Sequence, residues 1–299
     1  MNPAKSANLG QTPLFLRMDW QQAQKELITQ LIPLYGDREA AAIADWTMEN
    51  LSGWKKIDRL LHRSDPLPPE TLNTYQKYSR DLLAHRPVQY VLHESWFAGM
   101  KLYVDENVLI PRPETEELVE WILSSSSSPI TKILDVGTGS GCIALALAKN
   151  LPSAKVHACD ISPSALAVAR LNIDALSLPI TLYQLDFLDP KSWDTLPPID
   201  CLVSNPPYIP IMEKAEMATH VIDFEPNHAL FVPDSDALLF YRALSQFAKQ
   251  RLPEGGQLFV EIHEEMGQQV QQLFQEAGLT EVTLRQDLQG KDRMVKATR

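Results

Sequence analysis

The residues best equipped for chemistry in this chain stand together at Asn205-Pro206-Pro207-Tyr208. Each proline lacks an N–H and has a fixed φ, so neither a strand nor a helix continues through the pair. An asparagine amide and an aromatic ring are thereby held in a rigid loop. Such a loop suits a planar NH2 group. The nitrogen of that group is a poor nucleophile, because its lone pair is delocalised into a carbonyl or ring. Asn205 Oδ1 and the Pro206 carbonyl can each accept one of its N–H bonds, which fixes the nitrogen and encourages tetrahedral geometry. Tyr208 can cover the planar face of the substrate. Positive charge develops beside these oxygens, an electrostatic effect aimed at the transition state. The proton can leave afterwards, so no His or Glu base is required.

A second group of residues is Gly137-Thr138-Gly139-Ser140-Gly141, between the apolar run Lys132 to Val136 and a helix from Cys142. A glycine turn in that place lets a ligand approach the backbone closely. Asp160 ends the next strand, where a carboxylate can accept hydrogen bonds from both hydroxyls of a ribose. Dinucleotide-binding proteins share this pattern, so NAD stays open on these residues alone. Three details favour S-adenosylmethionine. Asp135 puts negative charge near the turn, which suits a cationic methionine end better than a pyrophosphate. Asp186 offers an acceptor to the adenine amino group, and Phe187 a ring to pack on adenine. Asn205 follows at the end of the fourth strand, beside that site. Methyl transfer to an NH2 group is the chemistry these residues share.

The elements that must position these residues follow from the alternation of apolar runs and turns. Strands are expected near 132–136, 157–160, 180–185, 199–204 and 257–262, with helices at 142–151, 162–176, 237–251 and 264–277. Residues 281–285 and 293–296 read as a closing antiparallel pair. This is a doubly wound, mainly parallel α/β sheet, in which ligands bind at the carboxyl ends of the strands. Ahead of it, Trp20–Leu34, Arg38–Leu51 (capped by Asp37), a short stretch at Ile57–Leu61 and Pro69–Leu83 read as a small helical bundle. Arg86 to Val104 and Val108 to Ile110 are β-prone, with Gly99 at a turn, and read as a hairpin. Pro113 opens a helix through Ile122, and the serine run 124–128 with Pro129 reads as a surface connector. The expected domains are a helical domain over 1–84, a hairpin linker over 85–111 and a catalytic domain over 112–299. The expected fold is that of a class I S-adenosylmethionine-dependent methyltransferase, Rossmann-like, with a helical N-terminal addition.

Composition narrows the partners. The 299 residues carry a formal net charge of −11. Residues 1–84 are balanced, so the whole excess lies on the remainder. A nucleic-acid binder shows a basic face, whereas this charge steers a basic protein partner. No direct nucleic-acid partner is expected. The three cysteines have no Cys-x-x-Cys spacing and read as buried reduced thiols. The seven histidines lack ligand spacing, so no metal is expected. No apolar run approaches the roughly 18 residues of a membrane span. The first twenty residues lack a secretory core, though Lys5 and Arg17 leave a presequence open. A cytoplasmic, monomeric enzyme without a membrane partner is expected.

Asn-Pro-Pro-Tyr resembles the motif of amino-methyltransferases that act on DNA bases, ribosomal RNA guanine or protein glutamine. The flanking residues discriminate. Val108-Leu109-Ile110-Pro111-Arg112-Pro113-Glu114-Thr115-Glu116 is similar to a segment of the release-factor glutamine methyltransferases, the HemK or PrmC family. Pro87-Val88-Gln89-Tyr90, Phe224-Glu225-Pro226 with Ala229-Leu230, and Asp287-Leu288-x-Gly290-x-x-Arg293 resemble that family too. The resemblance implies methylation of the side-chain amide of the glutamine in the Gly-Gly-Gln motif of peptide chain release factors. It implies that Gly137 to Gly141, Asp160, Phe187 and Asn205 contact the cofactor, and that Asn205 to Tyr208 form the glutamine pocket. The helical domain would help dock the release factor. The sibling activity on a ribosomal-protein glutamine is the alternative; an amino group of DNA or RNA stands further off. Arg112 is read either as a salt bridge at a helix start or as shaping the pocket. Two departures stand out: His93 replaces a glycine, and Phe231-Val232-Pro233 replaces a glycine-rich stretch, leaving the turns there open.

Overall fold

The computed structural model describes residues 18–125, 130–217 and 219–299. The possible presequence and most of the serine connector lie outside the described residues. Two compact units divide the chain, one ending at Leu92 and the other starting at His93.

The first unit is helical. Helix α1 (Trp20–Ser52) starts on a capping box between Asp19 and Gln22 and bends at Gly36, where φ is 74° and ψ 170°. The bend separates the two helical stretches expected on either side of it. Helices α2 (Lys56–Leu61), α3 (Pro69–Leu83) and α4 (Val88–Leu92) follow. Leu27, Leu31, Ala40 and Ala44 of α1 pack with Tyr75 and Leu82 of α3 in one apolar core. Helix α4 corrects the β reading of residues 86–92. The amides of Tyr90 and Val91 donate back to the Pro87 carbonyl, and Tyr90, Val91 and Leu92 are buried. Burial of three consecutive large side chains overrides their β propensity, which only records fit to a half-buried pleated surface.

The second unit opens on a hairpin, β1 (Ser95–Phe97) with β2 (Met100–Leu102), shorter than expected. His93, in place of the family's glycine, has φ 52° and stacks on Tyr103 with ring centroids 5.2 Å apart. Histidine tolerates this left-handed conformation better than most residues, so the turn survives the replacement. The chain then runs through α5 (Pro113–Ser124), β3 (Lys132–Val136), α6 (Cys142–Asn150), β4 (Lys155–Asp160), α7 (Pro163–Leu176), β5 (Ile180–Gln184) and β6 (Cys201–Ser204). After these come β7 (Ile209–Pro210), α8 (Thr219–Phe224), α9 (Asn227–Leu230), β8 (Phe231–Val232), α10 (Leu239–Arg251), β9 (Gln257–Glu261), α11 (Gly267–Glu276), β10 (Thr280–Gln286) and β11 (Asp292–Thr298).

The main sheet has seven strands in the order β10-β11-β9-β6-β3-β4-β5. Strand β11 runs antiparallel to β9 and β10, and the others are parallel. Alternate residues of the central strands serve opposite faces. Ile133, Cys201 and Val203 pack with Leu118, Ile122 and Leu147 of α5 and α6. Leu134, Leu202 and Val260 pack with Tyr241, Phe247 and Phe274 of α10 and α11. Covering both faces is what lets these strands be continuously apolar. Val136 sits opposite both Cys159 and Ser204, so the loops leaving β3, β4 and β6 emerge side by side. Phe231 and Val232 pair in parallel with Ile209 and Pro210, just past Tyr208.

Candidate active site

One cleft gathers these loops. Gly137 and Gly139 after β3, Asp160 at the end of β4, Asp186 and Phe187 after β5, and Asn205, Pro206 and Pro207 after β6 all line it. Val108 and Leu109 ahead of α5, His228 and Ala229 of α9, and Phe240 of α10 complete the wall. The cleft is partly open to solvent and lined mainly by apolar groups with a few polar ones converging on it, the make-up of a small-molecule site.

The glycine turn is built for close approach. Gly137 and Gly139 have φ of 71° and 53°, and a Cβ at either would meet nothing within 4 Å. The amides of Gly137 and Thr138 donate to the Cys159 carbonyl at 2.9 and 3.0 Å, tying the turn to β4. Asp160 adds a second tie. Its Oδ2 accepts the Gly139 amide at 3.0 Å and its Oδ1 the Ser162 amide at 2.9 Å. The cap of α7 is Ser162, whose hydroxyl oxygen accepts the Ala165 amide. Asp160 is therefore no helix cap and stays in the cleft wall. Thr138 and Ser140 are buried, and neither they nor Gly141 line the cleft.

Asp135 lies deeper than the sequence suggested. It is fully buried beneath the turn, with Oδ2 accepting the Thr138 hydroxyl at 2.6 Å and no partner of hydrogen-bonding geometry on Oδ1. Burial pushes its pKa up to about 7, opposed by the Thr138 hydroxyl and more weakly by the Ala144 amide. It braces the turn from below, in place of the open negative charge expected of it. A carboxyl that holds its proton more tightly in the folded chain stabilises the fold at low pH and loses that contribution as pH rises. Measured against Asp135→Asn, the wild-type urea midpoint should therefore fall between about pH 4 and about pH 7. A constant difference across that range would refute this account of Asp135.

Asp186 Oδ1 accepts the Leu188 amide at 2.9 Å, which shapes the turn after β5. Phe187 packs against Trp193 and Phe247, with centroids 5.6 and 5.2 Å away, so its ring is a core aromatic that also borders the cleft.

Around Asn205 the polar contacts are specific. Its Nδ2 donates to Thr115 Oγ1 at 3.1 Å, and Thr115 donates to Glu261 Oε2 at 2.7 Å. The Tyr208 hydroxyl donates to Glu261 Oε1 at 3.3 Å. Tyr208 borders an adjoining depression with His263, Glu264 and Arg293 instead of the cleft itself. Burial pushes the Tyr208 hydroxyl well above its ordinary range, with the Glu261 charge adding to it. Arg112 pairs with Glu225 at 2.5 Å, while Glu225 also accepts the Ile110 amide. It is a salt bridge just ahead of α5 and does not line the cleft. Among the described residues no cluster suited to a metal occurs.

Thr115, Glu261 and Ile161 carry no role in the sequence reading. Thr115 stood inside a noted motif, and Glu261 is an acid closing an apolar strand, which is a signal in itself. Ile161 lines the cleft directly after Asp160 and is half exposed there.

Comparison with known proteins places this geometry. The family model for the methyltransferase small domain matches residues 115–230, and that for the PrmC N-terminal domain matches residues 20–92. A release factor glutamine methyltransferase of Flavobacterium psychrophilum is 40% identical over 91% of this chain and 96% of its own length. One of Lactococcus lactis is 39% identical over 88% of this chain and 96% of its own. The crystal structure of the hMettl16 catalytic domain with a MAT2A 3′UTR hairpin has a TM-score of 0.54 at 15% identity, covering 76% of this chain and 82% of that one. That likeness speaks for the methyltransferase fold alone. No helix among the described residues is long and apolar enough to cross a membrane. From the 40% identity over about nine-tenths of its length and the two matching family models, the chain belongs to the release factor glutamine methyltransferase family.

Proposed function

We propose that this chain uses S-adenosylmethionine to methylate the side-chain amide nitrogen of the glutamine in the Gly-Gly-Gln motif of peptide chain release factors. The observation that carries this reading is the position of Asn205 and Pro206, in the wall of one cleft with the glycine turn and Asp160. The residues fit the cofactor. Open space in front of Gly137 and Gly139 leaves room for its methionine end, while Thr138, Ser140 and Gly141 hold the turn in shape behind them. Asp160 would take the ribose, and Asp186 with Phe187 and Ile161 the adenine. Once bound, the cofactor supplies an electrophilic methyl group on a positively charged sulfur.

The chain's own residues then position the nucleophile. Asn205 Oδ1 and the Pro206 carbonyl accept the two N–H bonds of the glutamine amide, while Pro207 keeps the loop from yielding. Tyr208, behind the cleft wall, is held by Glu261 and braces the loop that carries Asn205. Positioning of this kind accounts for most of what an already reactive electrophile needs. The acidic balance of the second unit suits a basic protein substrate. The helical unit, with Ile57, Leu60 and Leu61 of α2 exposed, suits docking of that protein. The reading takes the chain to work as a monomer in the cytoplasm.

The test is incubation with labelled S-adenosylmethionine and, separately, a release factor, its Gln→Ala loop variant, ribosomal protein and DNA. Label is expected on the release factor alone. Label on the variant, or only on DNA or ribosomal protein, would overturn the assignment.

A further inference from the structure

Neither Thr115 of α5 nor Glu261 of β9 lines the cleft, yet both are linked to Asn205 by hydrogen bonds. A hydroxyl has one proton to give. Thr115 gives its proton to Glu261 Oε2 at 2.7 Å. Only lone pairs then remain for Asn205, which must turn its NH2 toward Thr115, as it does at 3.1 Å. The other end of the amide, Oδ1, is left for the cleft. An amide turned the other way would present two donors to a substrate NH2, which is itself a donor.

We infer that Glu261, acting through Thr115, is a positioning residue that sets the orientation of the Asn205 amide so that its oxygen meets the substrate NH2. This rests on the methyl-transfer reading above. The same carboxylate holds Tyr208 through its other oxygen, so one buried acid fixes both ends of the Asn205–Tyr208 loop.

The charge on Glu261 has few neighbours to support it. Glu114 on α5 raises its proton affinity, while Arg293 on β11 and the hydroxyls of Thr115 and Tyr208 lower it. Tyr241 on α10 and Cys142 on α6 also feel its charge. Burial outweighs them and pushes Glu261 up to about 7. Once protonated, Glu261 no longer requires a proton from Thr115. The Thr115 hydroxyl is then free to donate to Asn205, and the amide loses its fixed orientation.

The test measures kcat at saturating cofactor from about pH 5 to about pH 9 for wild type, Thr115→Val, Thr115→Ser and Glu261→Gln. Thr115→Val keeps the shape and removes the relay. It should lower kcat about 100-fold with the cofactor Kd unchanged, a loss comparable to removing one aligned polar group at a transition state. Thr115→Ser restores the hydroxyl and should keep kcat within about threefold of wild type. Wild type should lose activity as pH drops below about 7, and Glu261→Gln should show a flat profile at reduced kcat. Asp135 titrates in the same range, so loss of this limb in Glu261→Gln is the deciding result. Equal kcat in wild type and Thr115→Val would overturn the relay. So would an acidic limb retained in Glu261→Gln, which decides the matter even if Thr115→Val does not fold. A wild-type enzyme that labels no glutamine would overturn the methyl-transfer reading instead, and the relay with it.

Discussion

Asn205→Ala is expected to lower kcat for methyl transfer by about 10²–10³-fold, while the cofactor Kd changes by less than about tenfold. The asymmetry follows from where the side chain sits. Its amide is anchored on the protein side by Thr115 and faces the cleft with its other end. Alanine removes the acceptor that holds the substrate nitrogen, and leaves the glycine turn, Asp160 and the wall after β5 in place. The Pro206 carbonyl remains, so the substrate amide keeps one of two contacts and gains rotational freedom about it. Single-turnover transfer and a cofactor titration separate the two effects. Equal losses in both would place Asn205 in the cofactor site alone.

Asp160→Ala should show the reverse pattern, with the cofactor Kd raised about 100-fold and kcat at saturation changed far less. Two hydrogen bonds from ribose hydroxyls to an ionised carboxylate contribute about 1.5 kcal/mol each at the low end of their range. The carboxylate also holds the amides of Gly139 and Ser162, so its loss loosens the turn against the start of α7. Asp160→Asn separates the two contributions, because the asparagine carbonyl can keep one acceptor. Calorimetric titration reads the result, and an unchanged Kd in Asp160→Ala would remove Asp160 from the site.

The sequence made the strand–turn–helix logic readable because each part has a local cause. Continuous apolar runs mark strands covered on both faces, and left-handed turns mark glycine, so Gly137, Gly139, Asp160 and Asn205 fall where their neighbours put them. Helix α4 was not readable. Val88 to Leu92 is β-prone in isolation, and only burial in the helical core decides otherwise. Asp135 misled for a related reason: adjacency to the turn says nothing about which face of β3 the carboxyl occupies. The Thr115–Glu261 contact joins residues 146 positions apart, and no local pattern links a helix start to the last parallel strand. Phe231-Val232-Pro233 was the reverse case, a departure from the family's glycine-rich stretch whose ordering as β8 depends on a partner strand elsewhere.

That small pairing of β7 with β8 has a consequence for engineering. Residues 211–230 leave and return at one clasp, so they form a closed excursion whose ends are fixed whatever lies between them. Glu225, held by Arg112, and His228 with Ala229 in the cleft wall tie down its second half. Its first half begins with Ile211 and Met212 exposed to solvent. Closing a longer loop costs little, since the entropy grows only with the logarithm of its length. Residues 211–217 are held as well, by the Met212 amide on Asp234 Oδ1, Lys214 on Asn227 Oδ1 and Glu213 beside His263, so an insert in this excursion must keep those anchors while the clasp holds its two ends.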